Sequence, residues 1–123
     1  MKAVLMPYHF IVSQALTASF NSAVQNIVQS DYLMIQLNYT SSGSPVGTIA
    51  VQASLDQVNW APLYLSVNGA APAASMAVPG SSSPIIIEIG ETASPYIRVV
   101  YTRTSGGTAD TMDGYITYKR LGD

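Results

Sequence analysis

The stretch Gly47-Thr48-Ile49-Ala50-Val51-Gln52-Ala53-Ser54-Leu55 decides the fold class. Ile49, Val51, Ala53 and Leu55 alternate with Thr48, Ala50, Gln52 and Ser54. A period of two belongs to an extended strand with one buried face, whereas a helix needs its apolar residues three or four apart. The same alternation recurs on both sides. Leu33, Ile35, Leu37 and Tyr39 alternate with Met34, Gln36 and Asn38, and Ile97, Val99 and Tyr101 with Arg98, Val100 and Thr102. Ile85, Ile87 and Ile89 flank Ile86 and Glu88, while Ile116 and Tyr118 sit among Tyr115, Thr117 and Lys119. Weaker strands are expected at Ala15 to Asn21, Ala61 to Ser66 and Ala74 to Val78, for a total of about eight. Ala23 to Ser30 offers barely two helical turns and carries β-branched Val24, Ile27 and Val28, so it reads as strand or loop.

Turn chemistry separates these segments. Ser41-Ser42-Gly43-Ser44-Pro45, Asp56-Gln57-Val58-Asn59, Asn68-Gly69, Pro79-Gly80-Ser81, Thr92-Ala93-Ser94-Pro95 and Ser105-Gly106-Gly107 all fall between alternating runs. Short strands at such spacing predict an all-β, single-domain antiparallel sandwich, jelly-roll-like. The sandwich is expected over residues 13–123, preceded by an apolar arm or edge strand at 1–12 that Pro7 interrupts.

Composition narrows the function classes. The 123 residues include only five basic and seven acidic side chains, and the formal net charge is -2. Globular domains ordinarily carry about 25% charged residues, and this chain carries 10%. Serine and threonine outnumber the charged residues, so the surface is weakly charged and suited to packing into an assembly. Scattered basic residues provide no phosphate-neutralising stripe, which argues against nucleic acid as a partner. Without cysteine there is neither disulfide nor thiolate metal site. The apolar run Ala3 to Val12 is too short to span a bilayer and lacks a long leader-type core, so a soluble protein without a membrane partner is expected.

Titratable groups that could converge on a reaction are few. His9 lies between Tyr8 and Phe10 in the arm and reads as a packed histidine. Glu88 points off a strand and Glu91 opens a turn, which does not make a glycosidase pair. No serine stands in a Gly-x-Ser-x-Gly elbow. Asp110-Thr111-Met112-Asp113-Gly114 spaces two carboxylates before a glycine; a solvated hairpin tip is expected there, with calcium as the alternative. Asn38-Tyr39-Thr40 matches a glycosylation acceptor but falls inside a strand. No enzyme activity, cofactor or metal is expected. Trp60 is expected to plug one end of the core, and Trp60 with Tyr64 forms the alternative ligand-binding pair of a carbohydrate module. Arg98 reads as solvated or as one half of an inter-subunit ion pair. Subunit contacts are expected from Val4, Leu5, Met6, Tyr8, Phe10 and Ile11 in the arm, and from outward Met34, Ile86, Val100 and Tyr115.

Gly47 to Trp60, then Pro95-Tyr96-Ile97-Arg98-Val99-Val100-Tyr101-Thr102, then a Gly-rich hairpin and Tyr115-Ile116-Thr117-Tyr118-Lys119-Arg120, resemble small β-sandwich structural proteins of bacteriophage virions. The resemblance covers residues 30–120. Ser-x-Asp-x-x-x-Trp followed by Tyr-Ile-Arg also looks like discoidin-type sandwiches, but those are longer and closed by a terminal cysteine pair. The virion resemblance implies a capsid-associated decoration, cement or minor capsid protein, assembled in the host cytoplasm. It would bind copies of itself and other virion proteins, as a homo-oligomer. A carbohydrate- or receptor-binding module of a tail or spike is the alternative. In either case the shared motif reads as fold chemistry: Trp60 and Tyr101 fill the core, and Asp56 and Asn59 make the turn.

Overall fold

The computed structural model describes residues 3–4, 8–27, 32–64, 66–67, 73–79, 84–89 and 95–120, with side chains placed for all of these except 3–4, 66–67 and 118–120. In chain order the strands are β1 (Ala3–Val4), β2 (Tyr8–Ala15), β3 (Phe20–Asn21), β4 (Gln25–Asn26), β5 (Tyr32–Tyr39) and β6 (Val46–Ser54). They continue with β7 (Ala61–Pro62), β8 (Ser66–Val67), β9 (Met76–Ala77), β10 (Ile85–Ile89), β11 (Tyr96–Ser105) and β12 (Thr111–Arg120). The five strong alternating segments are the five strands β5, β6, β10, β11 and β12.

Two antiparallel sheets result. In sheet A, β12 pairs with β5, β5 with β10 and β10 with β8, while β1 and β2 share the free edge of β12. In sheet B, β11 pairs with β6; β3 and β4 divide the outer edge of β11, and β7 and β9 divide that of β6. The chain crosses from β2 to β3 and β4, returns to β5, crosses to β6 and β7, visits the edge of sheet A at β8 and comes back to sheet B at β9. It then returns to β10, crosses to β11 and ends in β12, the strand order of a jelly roll. The single-domain sandwich read from the sequence is thus the architecture found.

The core is the space between the inner rows. Ile35 stands between Ile87 and Ile116 in sheet A, and Val51 stands beside Val99 in sheet B. Ile49, Ile97 and Tyr101 extend the row in sheet B, and Leu37, Ile85 and Met112 extend it in sheet A; all are buried. Each such aliphatic side chain contributes roughly 1.5–3 kcal/mol of transfer free energy. Among the described residues, the two buried tyrosines keep their hydroxyls bonded: Tyr39 donates to the Pro79 carbonyl at 3.0 Å, and Tyr101 lies 3.4 Å from the Leu16 carbonyl. Burial raises the pKa of both phenols.

Packing corrects three expectations. β6 stops at Ser54, whose hydroxyl accepts the Asp56 and Gln57 amides, so Leu55 leaves the inner row and is 76% exposed. β2 spans the boundary drawn between an arm or edge strand at 1–12 and the sandwich at 13–123, and it pairs along β12 of the same chain with register shifts on either side of Gly114. Ile11 on that strand is 4% exposed and belongs to the core, so it offers no contact to a neighbour. Its side chain lies over Gly114, where a Cβ would come within 2.7 Å of Ile11 Cδ1 and 3.0 Å of its Cβ. Gly114 is therefore a strand residue covered by Ile11, and the turn lies earlier, at Gly106 and Gly107 with φ of 68° and 80°, where the chain crosses from β11 in sheet B to β12 in sheet A.

Candidate interaction surface

On the outer face of sheet B the register aligns Arg98 with Gln52, and Gln52 with Pro62. The Arg98 Nε donates to Gln52 Oε1 at 2.9 Å, and the guanidinium carbon lies 4.3 Å from the centroid of the Trp60 ring. Stacking and hydrogen bond together hold the planar cation in one orientation. No carboxylate lies within ion-pair distance of it among the described residues. Trp60 is thus half-buried on the outside of the sandwich and does not plug the core as its sequence position suggests. The reason is the turn before it.

That turn is built around Asp56. Its Oδ1 accepts the amides of Val58 and Asn59 and the Ser54 hydroxyl, each at 2.9 Å, and its Oδ2 accepts the Asn59 side-chain amide at 3.0 Å. These donors, the Asn59 backbone amide first, hold the Asp56 carboxyl well below the usual aspartate range. Gln57 takes a φ of 60°, which closes the turn. The two roles expected of Asp56 and Asn59 are the ones found. The turn holds Leu55 and Val58 in solvent, both 76% exposed, and Tyr64 beyond β7 is as open.

The outer face of sheet A has a different character. One row runs His9, Tyr115, Gln36, Ile86, and the next runs Thr117, Met34, Glu88, Ser66. His9 stacks on Tyr115 with ring centroids 4.4 Å apart, and its Nε2 lies 2.9 Å from Asp113 Oδ1, which also accepts the Ser13 amide. Ser13 sits at a φ of 44°, beside an irregularity in the β2–β12 register. The expected packed histidine is therefore half-exposed and clamps the edge strand β2 to β12. Glu88 is exposed, with no cation within ion-pair distance among the described residues.

Asp110 is the largest departure at the expected hairpin tip. It is fully buried, and its oxygens accept the hydroxyls of Thr40 (2.9 Å) and Ser42 (3.1 Å) and the amide of Gly43 (2.8 Å). It ties the β5–β6 turn to the β11–β12 turn. Asp113 faces His9 on the outer side of β12, so the two carboxylates serve separate structural tasks.

The expected contact residues do not form one patch. Met34 is exposed, and Ile86 and Tyr115 are half-buried, on the outer face of sheet A; Val100 lies on the opposite side of the molecule, beside Ala50 in sheet B. Tyr8 is 60% exposed at the edge, and Phe10 packs partly against the core. Val4 pairs with Lys119, while Leu5 and Met6 lie outside the described residues. Trp60 and Tyr64 flank β7, with Arg98 covering a face of the Trp60 ring. Sequence reasoning missed Gln52 as the residue that orients Arg98. Its outward position in the β6 alternation was visible, but the strand partner that brings it opposite Arg98 was not.

The fold is shared with a solved protein. The chain superposes on the crystal structure of SPBc2 prophage-derived protein YomS with a TM-score of 0.68, over 95% of this chain and 94% of that one, at 9% sequence identity. No family model matches the sequence, and no curated protein matches it significantly.

Proposed function

We propose that this chain is a non-enzymatic structural protein of a phage particle, associated with the capsid as a decoration, cement or minor capsid component. It works through contacts with copies of itself and with other particle proteins, in the virion after assembly in the host cytoplasm, and uses neither nucleic acid, membrane nor cofactor. The observation that carries this reading is a fold shared almost end to end with a prophage-derived protein. The chemistry of the surface supports it. Three of the four described carboxylates and the histidine are engaged in structure: Asp56 in its turn, Asp110 between two turns, His9 with Asp113. Large apolar side chains stand in solvent on a weakly charged exterior, as a contact surface requires. The glycan-binding alternative needs an open ring at Trp60, and Arg98 covers a face of it.

The test is mass spectrometry of gradient-purified particles from the host that carries the gene. Recovery of the chain in fixed proportion to the major capsid protein is expected. Its presence in the lysate but absence from intact particles would overturn the reading.

A further inference from the structure

We infer that the outer face of sheet A of one copy docks on the outer face of sheet B of the next, with Glu88 of the first accepting the Arg98 guanidinium of the second. This names the partner surface for the assembly role proposed above and rests on that reading.

Each face presents one charged side chain without an ionic partner among the described residues, Glu88 on sheet A and Arg98 on sheet B. Arg98 is oriented in advance, by the Trp60 ring on one side and by its Nε bond to Gln52. Its terminal nitrogens make no hydrogen bond or ion pair among the described residues, so the fork that best fits a carboxylate is presented unused. Glu88 is the carboxylate on the other face. It is exposed, lies between Met34 and Ser66 in its row, and is likewise without a cationic partner among the described residues. The remaining described acids are committed elsewhere in the chain, Asp56, Asp110 and Asp113 each bonded to its own donors.

Symmetry of the contact follows from the same charges. Pairing sheet A with sheet A, or sheet B with sheet B, would leave Glu88 and Arg98 without each other, because they stand on opposite outer faces. An isologous contact through either face therefore cannot make this ion pair. The unlike pairing is heterologous, and a heterologous contact repeats into a closed ring or an open filament. Apolar side chains stand on both faces to exclude water around the ion pair: Met34 and Ile86 on sheet A, Val100 and Trp60 on sheet B. This explains why the outward apolar residues are divided between two sides of the sandwich.

Sedimentation velocity of the purified full chain tests the inference. The wild-type protein is expected to self-associate with rising concentration and to dissociate as salt is added. Arg98→Glu and Glu88→Arg should each weaken association at least about tenfold. An equimolar mixture of the two single variants should associate again, because each then offers the charge the other lacks, and the double variant should do so alone. Melting curves establish that the variants are folded. If Arg98→Glu melts early, Glu88→Arg on its exposed site decides the matter against Glu88→Gln, with weakening in the order Arg over Gln. A wild-type protein that stays monomeric, folded variants that associate as the wild type does, or folded single variants whose mixture stays dissociated would each overturn the contact. Recovery of the chain from particles is read independently, so failure here leaves the particle assignment standing.

Discussion

The guanidinium of Arg98 rests over the indole of Trp60, 4.3 Å from the ring centroid, on the solvent side of sheet B. A tryptophan in this position contributes through one cation–π contact and partial burial. Trp60→Ala is therefore expected to cost about 1 kcal/mol in chemical denaturation, within the range for a partly exposed cation–π pair. A core tryptophan would cost about 3–5 kcal/mol. A loss of that size would show that Trp60 supports the interior after all.

Asp110 predicts a larger effect from a smaller side chain, because it is itself buried and accepts three hydrogen bonds. Asp110→Ala takes the acceptor from the amide of half-buried Gly43 and from the hydroxyls of exposed Thr40 and Ser42, which water can reach. Losing these bonds to a charged acceptor is expected to cost about 1.5–3 kcal/mol in urea denaturation. Calcium should leave the melting temperature unchanged, since the Asp110 oxygens already accept from three protein donors. A calcium-dependent rise in the melting temperature would refute this assignment.

Gly114 and Ile11 should behave as a coupled pair. Gly114→Ala forces its new methyl against Ile11 and is expected to destabilise by about 1–3 kcal/mol, the usual range for overpacking. Adding Ile11→Val or Ile11→Ala should recover part of that loss, and a double-mutant cycle on melting curves measures the coupling. Strict additivity would mean that the two side chains do not compete for one space.

The Asp56 turn sets a pH dependence of definite sign. Its carboxyl titrates below the ordinary aspartate value of about 3.9 because the folded turn supplies donors to the charged form. The linked contribution to stability is therefore fully present above that unfolded value and is lost as pH falls through the depressed folded value. Carboxyl NMR titration should place the Asp56 midpoint below the ordinary range. Asp56→Ala should speed hydrogen exchange at the Val58 and Asn59 amides, which donate to Oδ1. Unchanged exchange there would show that the backbone alone makes the turn.

Much of this surface could be anticipated residue by residue. The outward positions of Met34, Ile86, Val100 and Arg98 follow from alternation, because a strand places successive side chains on opposite faces. Which outward residues meet does not follow, since strand pairing joins positions far apart in the chain, Gln52 with Arg98 and Met34 with Glu88. The same limit explains the placement of Ile11. Its neighbours in sequence read as an arm or an edge strand, and only the pairing of β2 on β12, over a glycine that leaves room for the side chain, places it in this chain's own core.

By itself the sequence determined the class of the protein. Alternating strands, turn residues between them and a shortage of charge already pointed to an all-β sandwich with a weakly charged exterior, because period and composition act locally and leave few architectures open. Tertiary structure alone decided that Trp60 lies outside, that Asp110 lies inside, and that the outward apolar residues divide between two outer faces, one carrying Glu88 and the other Arg98. Register and side-chain hydrogen bonds settle such questions. Both depend on contacts between segments that the chain brings together only by folding.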